Sequence, residues 1–238
     1  MKQRFKLVQR VDFIKDICRD KKVLHLGCTD YPYTENSIEK NMLLHFELEK
    51  CASEIYGFDF DQKGIDILQS RDVGNLYCAD LEHLADVQLA ETFDIIIAGE
   101  IIEHLSNPGL FLAGVKKFMR LDTKLVLTSV NAYCAMRFVI YALRGKGGIN
   151  EPVHPDHVSY YSYSTMKLML ERHKYDLMDF CFYDLGDEHR PFVRWIYRLF
   201  NDLSVRISPQ LADGIIAVAA IGAESETVRL KTHGVSGE

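Results

Sequence analysis

The stretch VLHLGCTDYPY, residues 23–33, joins a short apolar run to a single glycine. A strand that leads into a glycine turn is typical of loops that hold nucleotide-like cofactors in α/β proteins. The further glycines of a G-x-G-x-x-G loop are missing, and Thr29 and Tyr31 stand in that region instead. The stretch therefore predicts a cofactor loop that begins at Gly27 and leaves the cofactor open.

Size and composition favour a single domain. The chain has 238 residues, of which 47% are hydrophobic, and this is enough to bury a full core. Its net charge of −6 argues against a general nucleic-acid binder, which would carry a basic face. Six scattered cysteines without a C-x-x-C pair favour reduced thiols over a disulfide framework or a zinc site. We expect one domain over residues 1–222, with substrate-side elements in 131–211, and a polar tail over 223–238.

The N-terminal segment and the hydropathy of the chain bear on its location. MKQRFKLVQRVDFIKD, residues 1–16, carries charges throughout and shows no signal peptide. No segment approaches the roughly 20 apolar residues of a membrane span. We therefore expect a cytoplasmic protein without a transmembrane segment.

Short β-rich runs alternate with longer helical segments. Most of the β-rich runs are apolar at consecutive positions, as expected for strands covered on both faces. The predicted strands are 22–27, 54–59, 74–80, 93–99, 124–130, 175–184 and 213–221. The predicted helices lie near 3–19, 36–51, 62–71, 107–120, 131–143, 163–173 and 191–206. This alternation predicts an α/β fold with a parallel sheet and right-handed crossovers.

Acidic residues follow the second and third predicted strands, where GFDFD ends in the region of Asp59 and CADLE contains Asp80. Ligands of parallel α/β sheets bind outside the carboxyl ends of the strands, where an acid accepts hydrogen bonds from ribose hydroxyls. We predict that Asp59 binds a ribose and that Asp80 binds an exocyclic adenine amine. Either acid alone would more often be a helix N-cap or a turn residue. Both acids behind one glycine turn favour a binding site.

The incomplete glycine loop distinguishes between two cofactors. A dinucleotide needs close backbone approach to its pyrophosphate, and therefore the second glycine. S-adenosylmethionine has no phosphate, so its loop tolerates Cys28 and Thr29, and Asp30 would attract its ammonium group. The loop favours S-adenosylmethionine over NAD.

With these motifs, residues 10–185 resemble class I S-adenosylmethionine-dependent methyltransferases. FDIIIAGEIIEHLSNPGLFLAGVKKFMRLDTKLVLTSVN, residues 93–131, is similar to the fourth and fifth strands of small-molecule O-methyltransferases, including those of ubiquinone biosynthesis. HPDHVSYYSYSTMKLMLERHKYDL, residues 154–177, resembles the segment before their sixth strand. LGCTD together with NMLLHFELEKCA, residues 41–52, resembles methyltransferases of bacterial surface-glycan genes. The resemblance implies a Rossmann-like, doubly wound, seven-stranded mixed sheet whose last strand is antiparallel and lies beside the sixth.

The resemblance also implies a set of cofactor contacts at the glycine turn and at the ends of the second, third and fourth strands. These residues are Gly27, Cys28, Asp30, Asp59, Phe60, Asp80, Leu81, Ala98, Gly99 and Glu100.

EIIEH, residues 100–104, follows the fourth strand. If a short helix begins there, Glu100, Glu103 and His104 lie on one face of it. Methyl transfer to oxygen often needs a base for the hydroxyl proton, and a histidine suits this task near neutral pH. His104 is the first candidate for the base and His157 the second.

E-x-x-E-H is also similar to the magnesium-binding motif of ubiquinone O-methyltransferases. In small-RNA 2′-O-methyltransferases a later histidine joins this motif, and here HPDH supplies His154 and His157. Two carboxylates with imidazoles would hold a divalent cation such as Mg²⁺, which polarises a substrate hydroxyl. The ligands would be Glu100, Glu103, His104 and His157. In metal-free family members the same glutamates cap helices or order the rim of the sheet.

Two further segments allow more than one interpretation. The tyrosines at 133, 160, 161 and 163 either line an acceptor pocket or pack into the domain. The basic amphipathic segment near 191–206 is either an interfacial helix that contacts an anionic lipid surface, or a lid or dimer helix whose apolar side lies on the domain. The second interpretation is favoured because strands of the same sheet bound the segment. The oligomeric state is left open.

The sequence as a whole predicts an S-adenosylmethionine-dependent methyltransferase. Its acceptor would be a hydroxyl of a small molecule or glycan, and nucleic acid is not the expected partner. Catalysis would depend mainly on near-attack alignment of the methyl group and the acceptor. Two alternatives stay open: a cofactor-binding pseudoenzyme or partner subunit, and, less favoured, an NAD-dependent oxidoreductase.

Overall fold

The computed structural model describes residues 5–144, 156–186 and 190–222. The predicted polar tail and His154 lie outside these ranges. One mixed sheet runs through the described part of the chain. Its strands are β1 (Lys6–Val8), β2 (Lys22–Leu26), β3 (Glu54–Asp59), β4 (Leu76–Cys78), β5 (Phe93–Gly99), β6 (Met119–Val130), β7 (Tyr175–Tyr183) and β8 (Gly214–Ile221). All seven predicted strands are present, and β1 is an additional one.

The helices occupy the connections between strands. They are α1 (Arg10–Cys18), α2 (Thr34–Glu39), α3 (Leu44–Glu49), α4 (Gln62–Gln69), α5 (Pro108–Val115), α6 (Ala135–Arg144), α7 (Tyr163–Arg172) and α8 (Trp195–Ile207). Short 3₁₀ turns lie at Leu81–Asp86, Lys116–Phe118, Arg190–Phe192 and Pro209–Leu211.

Two predicted helices differ from the structure. The segment 3–19 contains strand β1, which pairs in parallel with Cys181–Tyr183, before α1 begins. A strand of three residues is too short for an alternating pattern to reveal it. The segment 36–51 is divided into α2 and α3, because Asn41 adopts a left-handed conformation with φ 55°.

The strand order is β1-β7-β8-β6-β5-β2-β3-β4. Strand β8 is antiparallel to both β6 and β7, and the other pairings are parallel. This confirms the predicted Rossmann-like mixed sheet with its antiparallel last strand, although the sheet has eight strands rather than seven. The direction of winding reverses between β2 and β5, and the carboxyl ends of these strands form the crevice in which such folds bind ligands.

Both faces of the sheet are covered. Alternate residues of β5 belong to different apolar clusters, with Ile96 and Ala98 on one face and Ile95 and Ile97 on the other. This explains why the strands read as continuous apolar runs rather than as alternating ones. In the described ranges, no helix is both long and apolar enough to cross a membrane.

Candidate functional site

Gly27 forms the turn at the carboxyl end of β2. Its φ of 78° is left-handed, and a Cβ placed there would lie 2.2 Å from Cδ1 of Ile101. The Gly27 N–H donates to the carbonyl of Phe58 over 2.8 Å, which ties the turn to the end of β3. The left-handed backbone therefore favours glycine, and a Cβ at this position would displace the end of the Ile101 side chain.

The rest of the loop takes its shape without a second glycine. Asp30 adopts a left-handed φ of 60°, a conformation that Asp tolerates better than most residues. Its carboxylate accepts a hydrogen bond from the Ser37 hydroxyl. Cys28 is buried, whereas Tyr31 is exposed and packs edge-on against Phe60, with ring centroids 5.0 Å apart. An aspartate thus occupies the backbone conformation that a further glycine would otherwise supply.

Asp59 joins the glycine loop to the end of β3. Its side chain is buried, and its two carboxylate oxygens accept the N–H groups of Thr29 and Asp61, each at 3.0 Å. The cap of α4 is not Asp59 but Asp61, whose side chain accepts the N–H of Gly64. Asp59 therefore fixes the loop, and its contact with a ribose stays a prediction.

Asp80 is exposed at the end of the third predicted strand. Its Oδ1 accepts the Glu82 N–H at 2.9 Å, which caps the 3₁₀ turn that begins at the buried Leu81. Its Oδ2 lies 2.8 Å from Nδ1 of His83. The Glu82 N–H and then His83 lower the pKa of Asp80, and the Asp80 carboxylate in turn raises the pKa of His83. Asp80 is a turn residue in this structure, and its contact with adenine stays a prediction.

Glu100 lies just beyond the end of β5, and its environment corrects the helix predicted over 100–104. Its φ is 54°, and its N–H donates to the Thr128 carbonyl at 3.0 Å. The carboxylate accepts the Tyr183 hydroxyl at 2.7 Å and lies 3.5 Å from Nη1 of Arg10. The chain then makes one turn, closed by the His104 N–H and the Ile101 carbonyl, rather than a helix. The left-handed residue therefore interrupts the predicted helical face.

Glu103 is a buried carboxyl group at the same edge of the sheet. Its Oε1 accepts the Val130 N–H at 3.3 Å, whereas Oε2 is buried without a hydrogen-bond partner. Burial, and then the nearby Glu100 carboxylate, raises the pKa of Glu103 to about 7. A carboxyl group with such a pKa exchanges a proton near neutrality.

His104 and His157 lie together, although 52 residues of sequence separate them. Their ring centroids are 4.6 Å apart and the rings meet edge to face. The Glu103 carbonyl brings the two segments together by accepting the N–H groups of Val158 at 2.9 Å and Ser159 at 3.3 Å. Both candidate bases are therefore at the carboxyl edge of the sheet.

The predicted magnesium site does not assemble from these residues. Glu100 is engaged by Arg10 and Tyr183, and Glu103 is buried against the backbone of Val130. In the described part of the chain, no group of three or more His, Cys, Asp or Glu side chains has the proximity that a metal ion requires. Glu100, Glu103, His104 and His157 do not form such a group, so the donors present do not fit the predicted Mg²⁺ site.

The tyrosines divide between the two interpretations. Tyr161 is buried, and Tyr163 packs on Phe5 with ring centroids 4.8 Å apart. Tyr133 and Tyr160 are exposed near the edge of the sheet. The first pair belongs to the packing of the domain, and a contact of the second pair with an acceptor stays a prediction.

Several residues that position the candidate site residues were not predicted from the sequence. Arg10 opens α1 and Tyr183 ends β7, and both anchor Glu100. His25 and His45 form a buried pair whose Nδ1 atoms lie 3.2 Å apart, and burial lowers the pKa of both. The one available signal was positional, since Tyr183 lies next to the end of the predicted strand 175–184, at the edge where ligands of such folds bind.

The comparisons with known proteins concern the family and the fold of the chain. Residues 4–178 match a family of methyltransferase domains. The chain belongs to that family. The sequence comparison with curated proteins gave no match.

Solved structures of S-adenosylmethionine-dependent methyltransferases share the fold. One from Archaeoglobus fulgidus has a TM-score of 0.54 at 16% identity, over 88% of this chain and 94% of that one. The magnesium protoporphyrin IX methyltransferase of Synechocystis PCC 6803, solved with bound S-adenosylhomocysteine, has a TM-score of 0.55 at 14% identity, over 88% and 81%. A TehB-like enzyme from Corynebacterium glutamicum has a TM-score of 0.51 at 18% identity, over 89% and 86%. The chain thus belongs to a family of methyltransferase domains and has the fold of S-adenosylmethionine-dependent methyltransferases.

Proposed function

We propose that this methyltransferase acts on a hydroxyl group of a small molecule or glycan, and that His104 or His157 accepts the hydroxyl proton. The observation that carries the proposal is the edge-to-face pair of these imidazoles at the carboxyl edge of the sheet. A neutral imidazole is a general base suited to neutral pH. The exposed Tyr133 and Tyr160 give an aromatic surface on the same side.

The cofactor crevice supports the first half of the reaction. Two features support this assignment: the left-handed glycine turn at Gly27, and the buried Asp59, which holds the loop against the end of β3. S-adenosylmethionine supplies an electrophilic methyl group on a sulfonium. We assign Asp59 to the ribose and Asp80 to the adenine amine, with Phe60 and Leu81 beside them. The remaining predicted contacts are Cys28, Asp30, Ala98, Gly99 and Glu100. The side chains of Cys28 and Ala98 are buried in apolar clusters, so these two residues would contact the cofactor through the backbone.

The residues of this chain then position the acceptor and move one proton. In-line transfer requires the acceptor oxygen to approach the methyl carbon from the side opposite the sulfur, so alignment supplies most of the acceleration. The imidazole takes the hydroxyl proton as the oxygen–carbon bond forms. The Glu100 carboxylate, anchored by Arg10 and Tyr183, keeps the turn before His104 in one conformation.

The proposal is tested by turnover with a panel of hydroxylated acceptors, phenols and glycans among them, and with S-adenosylhomocysteine release as the readout. We expect His104→Ala or His157→Ala to lower kcat by roughly 10²–10⁴-fold, the usual contribution of a general base, with cofactor affinity unchanged. His173→Gln is the matched control, because His173 lies at the amino end of β7 and bonds to the Met169 carbonyl.

Two outcomes would count against the proposal. If both histidine variants turn over a hydroxyl acceptor as fast as wild type does, neither histidine accepts the hydroxyl proton. Turnover only on amines, thiols or carbon acids would exclude hydroxyl methylation. The alternative of a cofactor-binding protein without turnover predicts S-adenosylhomocysteine binding, with no acceptor in any class.

A further inference from the structure

Helix α8 presents its apolar side to solvent. Large apolar side chains recur along it at spacings of three and four residues, and all of them are exposed. They are Trp195, Ile196, Leu199, Phe200, Leu203 and Ile207. The favoured sequence interpretation, in which this apolar side lies on the domain, is therefore wrong.

The side of α8 that faces the domain combines small polar residues with Val205, which is buried in the main apolar cluster. Asn201 and Ser204 are buried there, and Asn201 donates to the Asp184 carboxylate at 2.7 Å. Tyr197 and Val193 pack on a small apolar cluster that joins α8 to α6. The helix is thus fixed to the domain by Asn201, Ser204, Val205 and Tyr197. An apolar stripe of this size on the outside marks an interaction surface.

The apolar surface continues onto α6. Phe138 and Leu143 of α6 are also exposed. A cavity of about 520 Å³ opens between the two helices, lined mainly by apolar side chains that include Phe138, Val139 and Phe200. Helix α6 is held in place by Arg137, whose guanidinium lies 3.0 Å from the Asp213 carboxylate. We call this combined surface of α6 and α8 the apolar face.

The charge around the apolar face is opposite to that of the whole chain. The chain carries a net charge of −6. The segment 190–207 instead has four arginines and one acid, Asp202, which pairs with Arg190. Arg194 and Arg206 are exposed beside the apolar stripe. Although the protein as a whole is acidic, its basic and apolar face is attracted to an anionic surface when this face is turned toward that surface.

We infer that the apolar face docks on an anionic lipid membrane. The arrangement is that of an interfacial helix, with arginines beside a stripe of Trp, Phe and Leu that enters the boundary between head groups and acyl chains. A second copy of this chain would bring the same arginines together, which the charge pattern disfavours. The face follows β6 directly, so the membrane lies on the acceptor side of the sheet. This inference concerns location, and it stands independently of the acceptor chemistry proposed above.

The test is binding of the protein to lipid vesicles, which is measured by tryptophan emission and by flotation of the protein with the vesicles. Trp195 is the single tryptophan of the chain, so its emission reports the face itself. We expect a blue shift and flotation with vesicles of phosphatidylcholine and phosphatidylglycerol. Binding is expected to fall by about fivefold for each arginine replaced in Arg194→Gln and Arg206→Gln, and to weaken with salt.

Separate variants test the contribution of the apolar side chains to membrane binding. Leu199→Asp and Leu203→Asp together are expected to abolish flotation while the thermal unfolding midpoint is kept, because both side chains are exposed. Leu168→Asp on α7 is the matched control and keeps binding. Two results would overturn the inference: no flotation of wild type with any vesicle, or equal loss in the Leu168→Asp control. Concentration-dependent dimerisation that Leu199→Asp abolishes, without any vesicle binding, would assign the face to a second copy instead.

Discussion

The carboxyl edge of the sheet has two halves, and a helix packs differently on each of them. The cofactor half contains the ends of β2, β3 and β4 with helix α4, and the acceptor half contains the ends of β5 and β6 with helices α6 and α8. On the cofactor half, helix α4 buries Ile65 and Leu68, and the acids at the strand ends bond to exposed turns or loop backbone. On the acceptor half, the polar Glu103 and Asn201 are buried, while α8 turns its large apolar residues outward. The same amphipathic period predicts a helix in both places. The period alone does not reveal which side of a helix packs on the domain.

The largest expected effect compares leucines from the two halves. Leu68→Ala removes a fully buried side chain from α4 and is expected to cost about 2–5 kcal/mol of unfolding free energy. Leu203→Ala on α8 is expected to change it by less than about 0.5 kcal/mol, because half of that side chain is exposed. Urea unfolding of both variants measures the difference. Similar losses would show that α8 packs its apolar side after all.

The next effect concerns the buried Glu103. Its pKa is raised from an ordinary 4.5 to about 7, so the folded state binds its proton more tightly than the unfolded state does. Stability from this group is therefore complete below 4.5 and is lost as the pH rises through 7, by about 3 kcal/mol. We expect Glu103→Gln to be more stable than wild type at pH 8 and to lack this pH dependence.

The measurement for Glu103 is urea unfolding at a series of pH values on either side of neutrality. Wild type and Glu103→Gln with parallel pH profiles would mean that Glu103 is ionised and solvated in the folded protein. That result would show that the acceptor half does not bury an uncharged carboxyl group at residue 103.

A smaller effect compares two glycines of the cofactor half. Gly27→Ala forces a Cβ into Ile101 at a left-handed φ, and we expect a loss of about 1–3 kcal/mol together with weaker S-adenosylhomocysteine binding. Gly74→Ala is the control, since a Cβ there meets no atom within 4 Å. Thermal unfolding and calorimetric titration of both variants check this. Intact cofactor binding in Gly27→Ala would place the crevice elsewhere.

The smallest effect is expected at the exposed Asp80. Its pKa is lowered first by the Glu82 N–H and then by His83, so His83→Ala should raise it only part of the way to its ordinary value. The stability linked to this carboxylate is present above its unfolded pKa and is lost as the pH falls through the lower folded one. Carboxyl NMR titration of wild type and His83→Ala measures the shift. A complete return of the pKa would mean that the capping bond to Glu82 is absent.

Much of the fold could be predicted from residues alone, because apolar runs and glycine turns act locally. The strands at 22–27 and 93–99 and the antiparallel last strand follow from such signals and from the family resemblance. Strand β1 was missed because its three residues pair only with distant Cys181–Tyr183. Local pattern carries no information about such a pairing.

For the candidate site, the sequence indicates which edge of the sheet its residues occupy, but not the contacts that they make. The positions of Gly27 and Asp59 follow from the rule that ligands meet the carboxyl ends of parallel strands. The common helical face of Glu100 and His104 failed, because Glu100 adopts a left-handed backbone and turns to Arg10. The contact of His104 with His157 depends on how the segment after 156 folds back on Glu103, which spacing does not encode.

The central claim is that the crevice at Gly27 and Asp59 binds the methyl donor and that the histidine pair acts only on the acceptor. Calorimetric titration with S-adenosylhomocysteine tests it most directly, on wild type, Asp59→Ala, Asp59→Asn, the His104→Ala/His157→Ala double variant and the exposed-acid control Asp66→Ala. Thermal unfolding must first show that each variant is folded at the temperature of the titration, either with the wild-type midpoint or with a midpoint lowered too little to unfold it. We predict binding by wild type, by the histidine variant and by the control, with binding lost in Asp59→Ala and weakened in Asp59→Asn. Binding that survives Asp59→Ala, or that fails in folded wild-type protein, would contradict the account.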